Sequence, residues 1–382
     1  MLYRSRSPVK PQPLLDDKGS RLIWLGMIVI GLLLAAGWLV VAIEFSQTGW
    51  DFTEFYIAAS VPVHSLYDRA VATAFGTERL APLGISYFPP FVRPAVFSLL
   101  LRPLAVLDYW PAFWVFAGFG LLAYVLSLVL LFRQLHLSPF QIPCFVAFFP
   151  AMFGLVTGQD ATVFLFVLII GWLLLLRRHE TAAGCVFALC LYKFNLVLLI
   201  PALLWIWRLH RALVWFVIGV ILLVVTSAAL TPLSDYLALL ENISGLTVGF
   251  VPGGLRGFLI RFGLGKWYPL CAVPVVLWCL FLVHRLPLSD GFWVAIVGTL
   301  LSSPHATWYD CTLLVPPMAL AWLRGGLWAR SGVLLLCFPF LWIFGKVFTE
   351  ISAEIFLLGF FVRSARGFTP SAVRIEESKT TN

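Results

Sequence analysis

The sequence predicts an all-α polytopic membrane protein, and three observations carry that prediction. Of its 382 residues, 61% are hydrophobic and 12% charged, with a mean hydropathy of +0.96. A water-soluble core cannot bury so much apolar surface. The apolar residues come in runs near the roughly 20 that a bilayer span needs. The basic residues stand in short groups between runs: Arg4 to Arg21, Arg177 and Arg178, Arg208 and Arg211, Arg324 and Arg330, Arg363 to Arg374. Cytoplasmic loops have that pattern. It removes the nucleic-acid reading that a net charge of +8 would invite.

Residues 1–21 are expected to be a cytoplasmic tail. Residues 22–43 are too long for a signal-peptide core, and Glu44-Phe-Ser-Gln follows where small residues would mark cleavage. A retained first span is expected there. Residues 44–90 form the first external loop, where aromatic and aliphatic residues recur at steps of three and four. That spacing predicts short amphipathic helices on the membrane surface. Residues 91–107 are interrupted by Arg93, Pro94, Arg102 and Pro103 and are expected to form a short hairpin, with Arg102 at its inner turn.

Spans follow at 109–132, 140–156 and 161–176. Residues 182–207 are long for one span and carry Lys193 near the middle, with Arg177, Arg178 and His179 before and Arg208, His210 and Arg211 after. If both flanks lie on one side, the segment is two short helices with Lys193 at the far turn. A lysine at bilayer depth is costly and marks function by default. Further spans are expected at 212–230, 267–283, 292–301, 312–323, 332–348 and 351–362, with a long external loop at 231–266. The membrane domain is 22–363, with roughly 11 to 13 segments, and 364–382 form a polar cytoplasmic tail. The seven cysteines lie in or beside apolar segments without metal-site spacing and are read as packing residues.

With Arg177 and Arg178 cytoplasmic, Asp51, the Gly158-Gln159-Asp160 turn, Lys193, the 231–266 loop and residues 302–308 share the external face. Asp51 and Glu54, in "TGWDFTEFY", have a structural alternative: an N-cap and its capping-box partner. Chemically, Asp51 is a candidate general base that takes the proton of an acceptor hydroxyl, with Glu54 as a sugar contact. A carboxylate at a water–lipid boundary suits transfer from a lipid-linked donor. Negative charge then builds on a phosphate leaving group and calls for aimed donors. Lys193, His305, Arg256 and Arg261 are the external candidates. Gln159 offers a neutral contact to sugar or phosphate, and Asp160 is otherwise a helix-dipole partner. Tyr87, Trp308 and Asp310 complete the expected substrate-binding set.

Five stretches in order, "WDFTEFYIAAS…SLYD", "YFPPF…RPLAVL", "GLVTGQDA", "AAGCVFALCLYKFNLVLLIPALL" and "SSPHATWYDCTLLVPP", resemble glycosyltransferase family 87. The resemblance covers roughly residues 22 to 325. It implies a GT-C-type helical bundle that moves mannose or another hexose from a polyprenyl-phosphate donor to a glycolipid or glycan acceptor. It further implies a bacterial inner-membrane setting. No metal or cofactor is expected, because the external acids are too spread in sequence to argue for a bound cation. The family's proposed base matches Asp51, its Gly-Gln turn Gly158 and Gln159, its mid-span lysine Lys193, and its Ser-Pro segment His305 and Asp310. The implied reaction is inverting, with polyprenyl phosphate leaving toward Lys193, His305 and Arg256. This chain departs from the family pattern at Asp160 (often Asn), at Phe194 (often Pro), and at Thr307-Trp308-Tyr309-Asp310 (often Ser-Trp-x-His).

A membrane carrier or flippase is the alternative, since many spans and a broken helix with a lysine also suit transporters. Against it, the two halves lack matching interrupted segments. A membrane scaffold is permitted by the aromatic loop but not required by it.

Overall fold

The computed structural model describes residues 49–137, 145–146, 148–197, 199–246, 253–337, 341–342, 345 and 347–366. The expected first span at 22–43, the 1–21 tail, and residues 367–382 of the other tail lie outside the described residues. Every described element is a helix. In order they are α1 Phe52–Ser60, α2 Arg69–Arg79, α3 Val96–Leu101, α4 Tyr109–Leu135, α5 Phe149–Thr157, α6 Ala161–Leu176, α7 Glu180–Leu189, α8 Leu199–Ile206, α9 His210–Leu230, α10 Leu233–Leu246, α11 Gly254–Arg261, α12 Tyr268–Arg285, α13 Leu288–Ser302, α14 Val315–Arg324, α15 Leu327–Cys337 and α16 Val347–Arg366.

Among the described residues three stretches are long and apolar enough to cross a membrane: α4, α9 and Gly265–Arg285. The 27 residues of α4 span roughly 40 Å. The outer helices turn apolar side chains outward, and α9 buries only Ala212 and Phe216. Central helices are apolar all round and wholly packed. From Asp290 to Leu301 every residue of α13 is buried, and its Trp293 meets Trp172 of α6 at 5.4 Å between ring centroids. Small residues let backbones close up. A Cβ on Gly184 of α7 would stand 2.3 Å from the Ala212 carbonyl of α9. The chain is a multi-pass membrane protein.

The helices alternate between two ends. The Asp51 end gathers the start of α4, where Tyr109 Oη donates to the Gly49 carbonyl at 2.5 Å, and the α5–α6 turn at Gly158. It also holds the end of α9, whose Ser227 Oγ accepts from Val96 N at 3.2 Å. The far end gathers the last turns of α4, α6, α8, α12 and α14. The expected break in 182–207 is found: α7 and α8 are joined by a 3₁₀ segment, Cys190–Leu196, interrupted at Lys193 (φ −119°, ψ 62°).

Two expectations fail. Residues 91–107 do not turn at the far end: Arg102 Nη2 donates to the Val61 carbonyl at 2.7 Å, and Tyr56 Oη donates to the Leu107 carbonyl at 2.9 Å. The six residues of α3 rise only about 9 Å, and Pro103 opens a 3₁₀ segment, Arg102–Val106, directly after them. A segment that short cannot cross and return. Nor does α1 lie on a surface. Phe52, Thr53, Glu54, Phe55, Ile57, Ala58 and Ala59 are buried, in a second core with Phe91, Ala95, Tyr109, Ala112 and Phe113. The exposed amphipathic helix of the first loop is α2, whose N-cap Asp68 accepts from Ala70 N at 2.8 Å and Val71 N at 3.3 Å.

Candidate active site

Backbone pairing sets the position of Asp51. Gly49 N donates to Val156 O and Asp51 N to Thr157 O, both at 2.9 Å, which joins the loop to the last turn of α5. That turn reverses at Gly158 (φ +82°), a left-handed position that favours glycine. A Cβ on Gly158 would lie 2.4 Å from Phe52 Cβ, so only glycine lets α1 seat here. Gln159 N then donates to Gly154 O at 2.7 Å.

Asp51 stands at the N-cap position of α1, yet its side chain makes no capping bond. Its carboxyl instead faces the side chains of Gln159 and Thr157, whose hydrogen-bonding groups favour the ionised form. Its pKa is pushed up to about 6, first by burial and then by the charge of Glu54, against the pull of Gln159, Thr157 and Lys193. Among the described residues no cation pairs with Asp51. Gln159 Oε1 is buried without a partner.

Glu54 does not complete a capping box either. It accepts from Val92 N at 3.2 Å and pairs with the Arg93 guanidinium. Burial raises its carboxyl above the usual range against the pull of Arg93. From Glu54 an alternating chain of buried charges runs through the site. Arg93 Nε and Nη2 reach Asp160 Oδ2 at 3.0 and 2.9 Å. Lys193 Nζ lies 3.0 Å from Asp160 Oδ1 and 2.7 Å from Asp310 Oδ1. Asp310 Oδ2 accepts from Thr307 N at 3.0 Å and Thr307 Oγ1 at 2.9 Å. Lys193 also lies 5.2 Å from the Tyr309 ring. The sequence suggested a cation held ready for phosphate. The structure has Lys193 divided between two carboxylates 33 and 117 residues away.

The remaining predicted residues frame this chain. Tyr87, nearly half exposed, stands 6.0 Å from Trp50 between ring centroids. Burial and the charges of Asp51 and Glu54 raise its phenol pKa. Trp308 packs on Phe153 at 5.9 Å. His305 is on the exposed part of a tethered loop. Asn195 Nδ2 donates to the His305 carbonyl at 2.8 Å, as does Arg256 Nη1 to the Pro304 carbonyl. Desolvation of its ring pushes the His305 pKa down; Arg256, Lys193 and Arg93 add to this and Asp310 opposes it. That shift favours the neutral imidazole. Arg261 is exposed at the end of α11.

Asp51, Glu54, Tyr87, Gln159, Asp160, Lys193 and Asp310 thus converge, and Arg256, His305 and Trp308 border them. Sequence reasoning missed Arg93, Thr157 and Tyr309. Arg93 had a signal: it interrupts an apolar run beside Pro94, and three buried acids need more than one cation.

Residues 91–304, from the strand of chain holding Arg93 to Pro304, match the family model of glycosyltransferase family 87. The chain belongs to glycosyltransferase family 87. It is a membrane glycosyltransferase of GT-C type. No curated protein and no solved structure matches it. In this family member the matched stretch contains Arg93, Gln159, Asp160, Lys193 and Arg256. Asp51, Glu54 and Tyr87 precede it, and His305, Trp308 and Asp310 follow it, so the site draws on chain from both sides of the matched region.

Proposed function

We propose that this glycosyltransferase moves a hexose, mannose in the first instance, from a polyprenyl-phosphate donor to a lipid or glycan acceptor. Asp51 acts as the general base, and the reaction inverts the anomeric centre. The observation that carries the proposal is that, among the described residues, no cation pairs with Asp51. Glu54, Asp160 and Asp310 are each neutralised by Arg93 or Lys193; Asp51 is not. Its carboxyl, near pKa 6, is ionised at neutral pH yet basic enough to accept a proton in a transition state.

The acceptor hydroxyl gives its proton to an Asp51 oxygen while its own oxygen bonds to the anomeric carbon. The bond from that carbon to the phosphate oxygen breaks, and the electron pair leaves with polyprenyl phosphate. Gln159 Oε1 accepts from a sugar hydroxyl, and the exposed Trp50–Tyr87 pair borders the sugar. Lys193 holds Asp160 and Asp310 in place, and Arg256, which also bonds the Pro304 carbonyl, meets the phosphate together with His305. Arg256 supplies charge, and the imidazole N–H supplies a hydrogen bond. The group transferred brings its own activation, so no metal or cofactor enters the proposal.

The basic far end favours the cytoplasm, which makes the Asp51 end external and both termini cytoplasmic, in a bacterial inner membrane. The test is a reconstitution of purified protein in lipid nanodiscs with labelled polyprenyl-phosphate mannose and a hydroxyl acceptor. Product with the anomeric configuration opposite to the donor's is expected. Retained configuration, or transfer only from a nucleotide sugar, would overturn the proposal.

A further inference from the structure

The end of the bundle away from Asp51 carries a feature that sugar transfer does not use. α4, α6 and α8 finish there, and each is followed closely by a basic residue in the left-handed region: His136 (φ 52°), Arg178 (φ 64°) and Arg208 (φ 55°). Glycine or asparagine ordinarily takes such a position, and another side chain there costs on the order of 1–2 kcal/mol. The turns themselves are ordinary. Arg208 N donates to Trp205 O and Leu209 N to Leu204 O, both at 2.9 Å; Arg178 N and His179 N make the same pair of bonds to Leu175 O and Leu174 O. Attraction of cations to helix C-termini accounts for basic residues nearby, not for basic residues on strained backbone. Among the described residues these three are the non-glycine positions with positive φ, and all three lie at this end.

At the α8–α9 turn the strained residue borders a cavity of about 400 Å³, lined by Trp205, Ile206, Arg208, His210 and His284. Among the described residues no acidic side chain lines it. Asp290, at the same end, is buried and paired with Arg324. Arg208, His210 and His284 are exposed. Trp205 is 65% exposed, and its indole stands edge-on to His210 at 5.9 Å between centroids.

We propose that this cavity binds the headgroup of an anionic phospholipid. Arg208 holds the phosphate, His210 and His284 donate further hydrogen bonds, and Trp205 packs against the glycerol and upper acyl chain. A lipid is favoured over free phosphate because the walls continue into apolar surface. Val214, Ile218 and Ile221 of α9 are exposed, as are Leu277, Trp278 and Phe281 of α12. An exposed tryptophan beside basic groups at a helix end suits the headgroup level. The strained Arg208 backbone aims a guanidinium that an unstrained glycine turn would lack.

The test is native mass spectrometry of the detergent-purified full chain, titrated with phosphatidylglycerol, with phosphatidylcholine, and with inorganic phosphate as competitor. The variants are Arg208→Asn, Trp205→Leu and, as a control of equal charge change, Arg133→Gln on the exposed last turn of α4. Expected are one tightly held phosphatidylglycerol, about tenfold preferred over phosphatidylcholine, and about tenfold weaker retention in Arg208→Asn and Trp205→Leu. Arg133→Gln retains the lipid. Asparagine tolerates the left-handed turn, so Arg208→Asn should melt no lower than the parent while it loses the lipid. Unchanged retention in Arg208→Asn would overturn the site, and so would equal loss in Arg133→Gln, the mark of diffuse attraction. Full displacement by millimolar phosphate with no preference between the two lipids would also overturn the lipid assignment.

Discussion

Replacing Arg93 by methionine should destabilise this protein more than any other single change at the site. The guanidinium is buried, bonds Asp160 Oδ2 through Nε and Nη2 at 3.0 and 2.9 Å, and pairs with Glu54 through Nη1. Removing one member of a buried ion pair costs about 3–5 kcal/mol, because a charge is left uncompensated. Here two carboxylates lose their shared cation. Asp160 keeps Lys193 at 3.0 Å, whereas Glu54 keeps one backbone N–H at 3.2 Å. A loss of about 5 kcal/mol is therefore expected, most of it at Glu54.

The loss should depend on pH, and its sign can be worked out. Burial already holds the Glu54 carboxyl above its ordinary range, and Arg93 is the main influence that lowers it. Without Arg93 the folded-state pKa rises further above the unfolded value. The protonated side chain is then tolerated at low pH, and stability is lost as pH rises through the folded-state pKa. Thermal unfolding of Arg93→Met in detergent should show a larger deficit against the parent at pH 8 than at pH 5. Adding Glu54→Gln should recover part of it. An Arg93→Met variant that melts within about 2 °C of the parent at pH 8 would refute the charge chain as described.

Three further outcomes follow from the same geometry. The transfer rate at low substrate concentration should rise with pH through about 6, the pKa of Asp51. In Gln159→Leu the hydrogen bond that lowers that pKa is gone, so the acidic limb should move up by about 1 to 2 pH units; a limb that stays put contradicts the assignment. Gly158→Ala combines a left-handed φ with a Cβ 2.4 Å from Phe52 Cβ, and a melting deficit of about 2–5 kcal/mol is expected with loss of transfer. Glu350→Ala removes the buried acceptor of Gly254 N–H, 3.1 Å away at the start of the helix that carries Arg256. Its expected signature is a KM for donor raised several-fold with kcat less affected, measured in steady-state assays.

Much of the arrangement was legible because charge placement along an apolar chain reports which helix ends share a side. The flanks of 182–207 put Lys193 at a turn, and the same parity gathered Asp51, Gln159 and Asp160 at one end. What was not legible depended on partners distant in the chain. Nothing near Glu54 marks Arg93, 39 residues on, as its counter-ion, so a capping box was the natural local assignment. Aromatic residues at three- and four-residue steps are equally consistent with a helix on a membrane and a helix buried within protein, and α1 proved to be the latter. The proline-broken 91–107 segment was misjudged for a related reason: its breaks were visible, but its anchor at Val61 was not.

The most direct test is the transfer rate of Asp51→Asn, purified and shown by thermal unfolding to be folded, with polyprenyl-phosphate mannose as donor. Asparagine keeps the shape of the side chain and cannot take the acceptor's proton. A fall of about 10²- to 10⁴-fold, with donor binding retained, is the predicted result. Transfer within a few-fold of the parent at neutral pH would contradict Asp51 as the base.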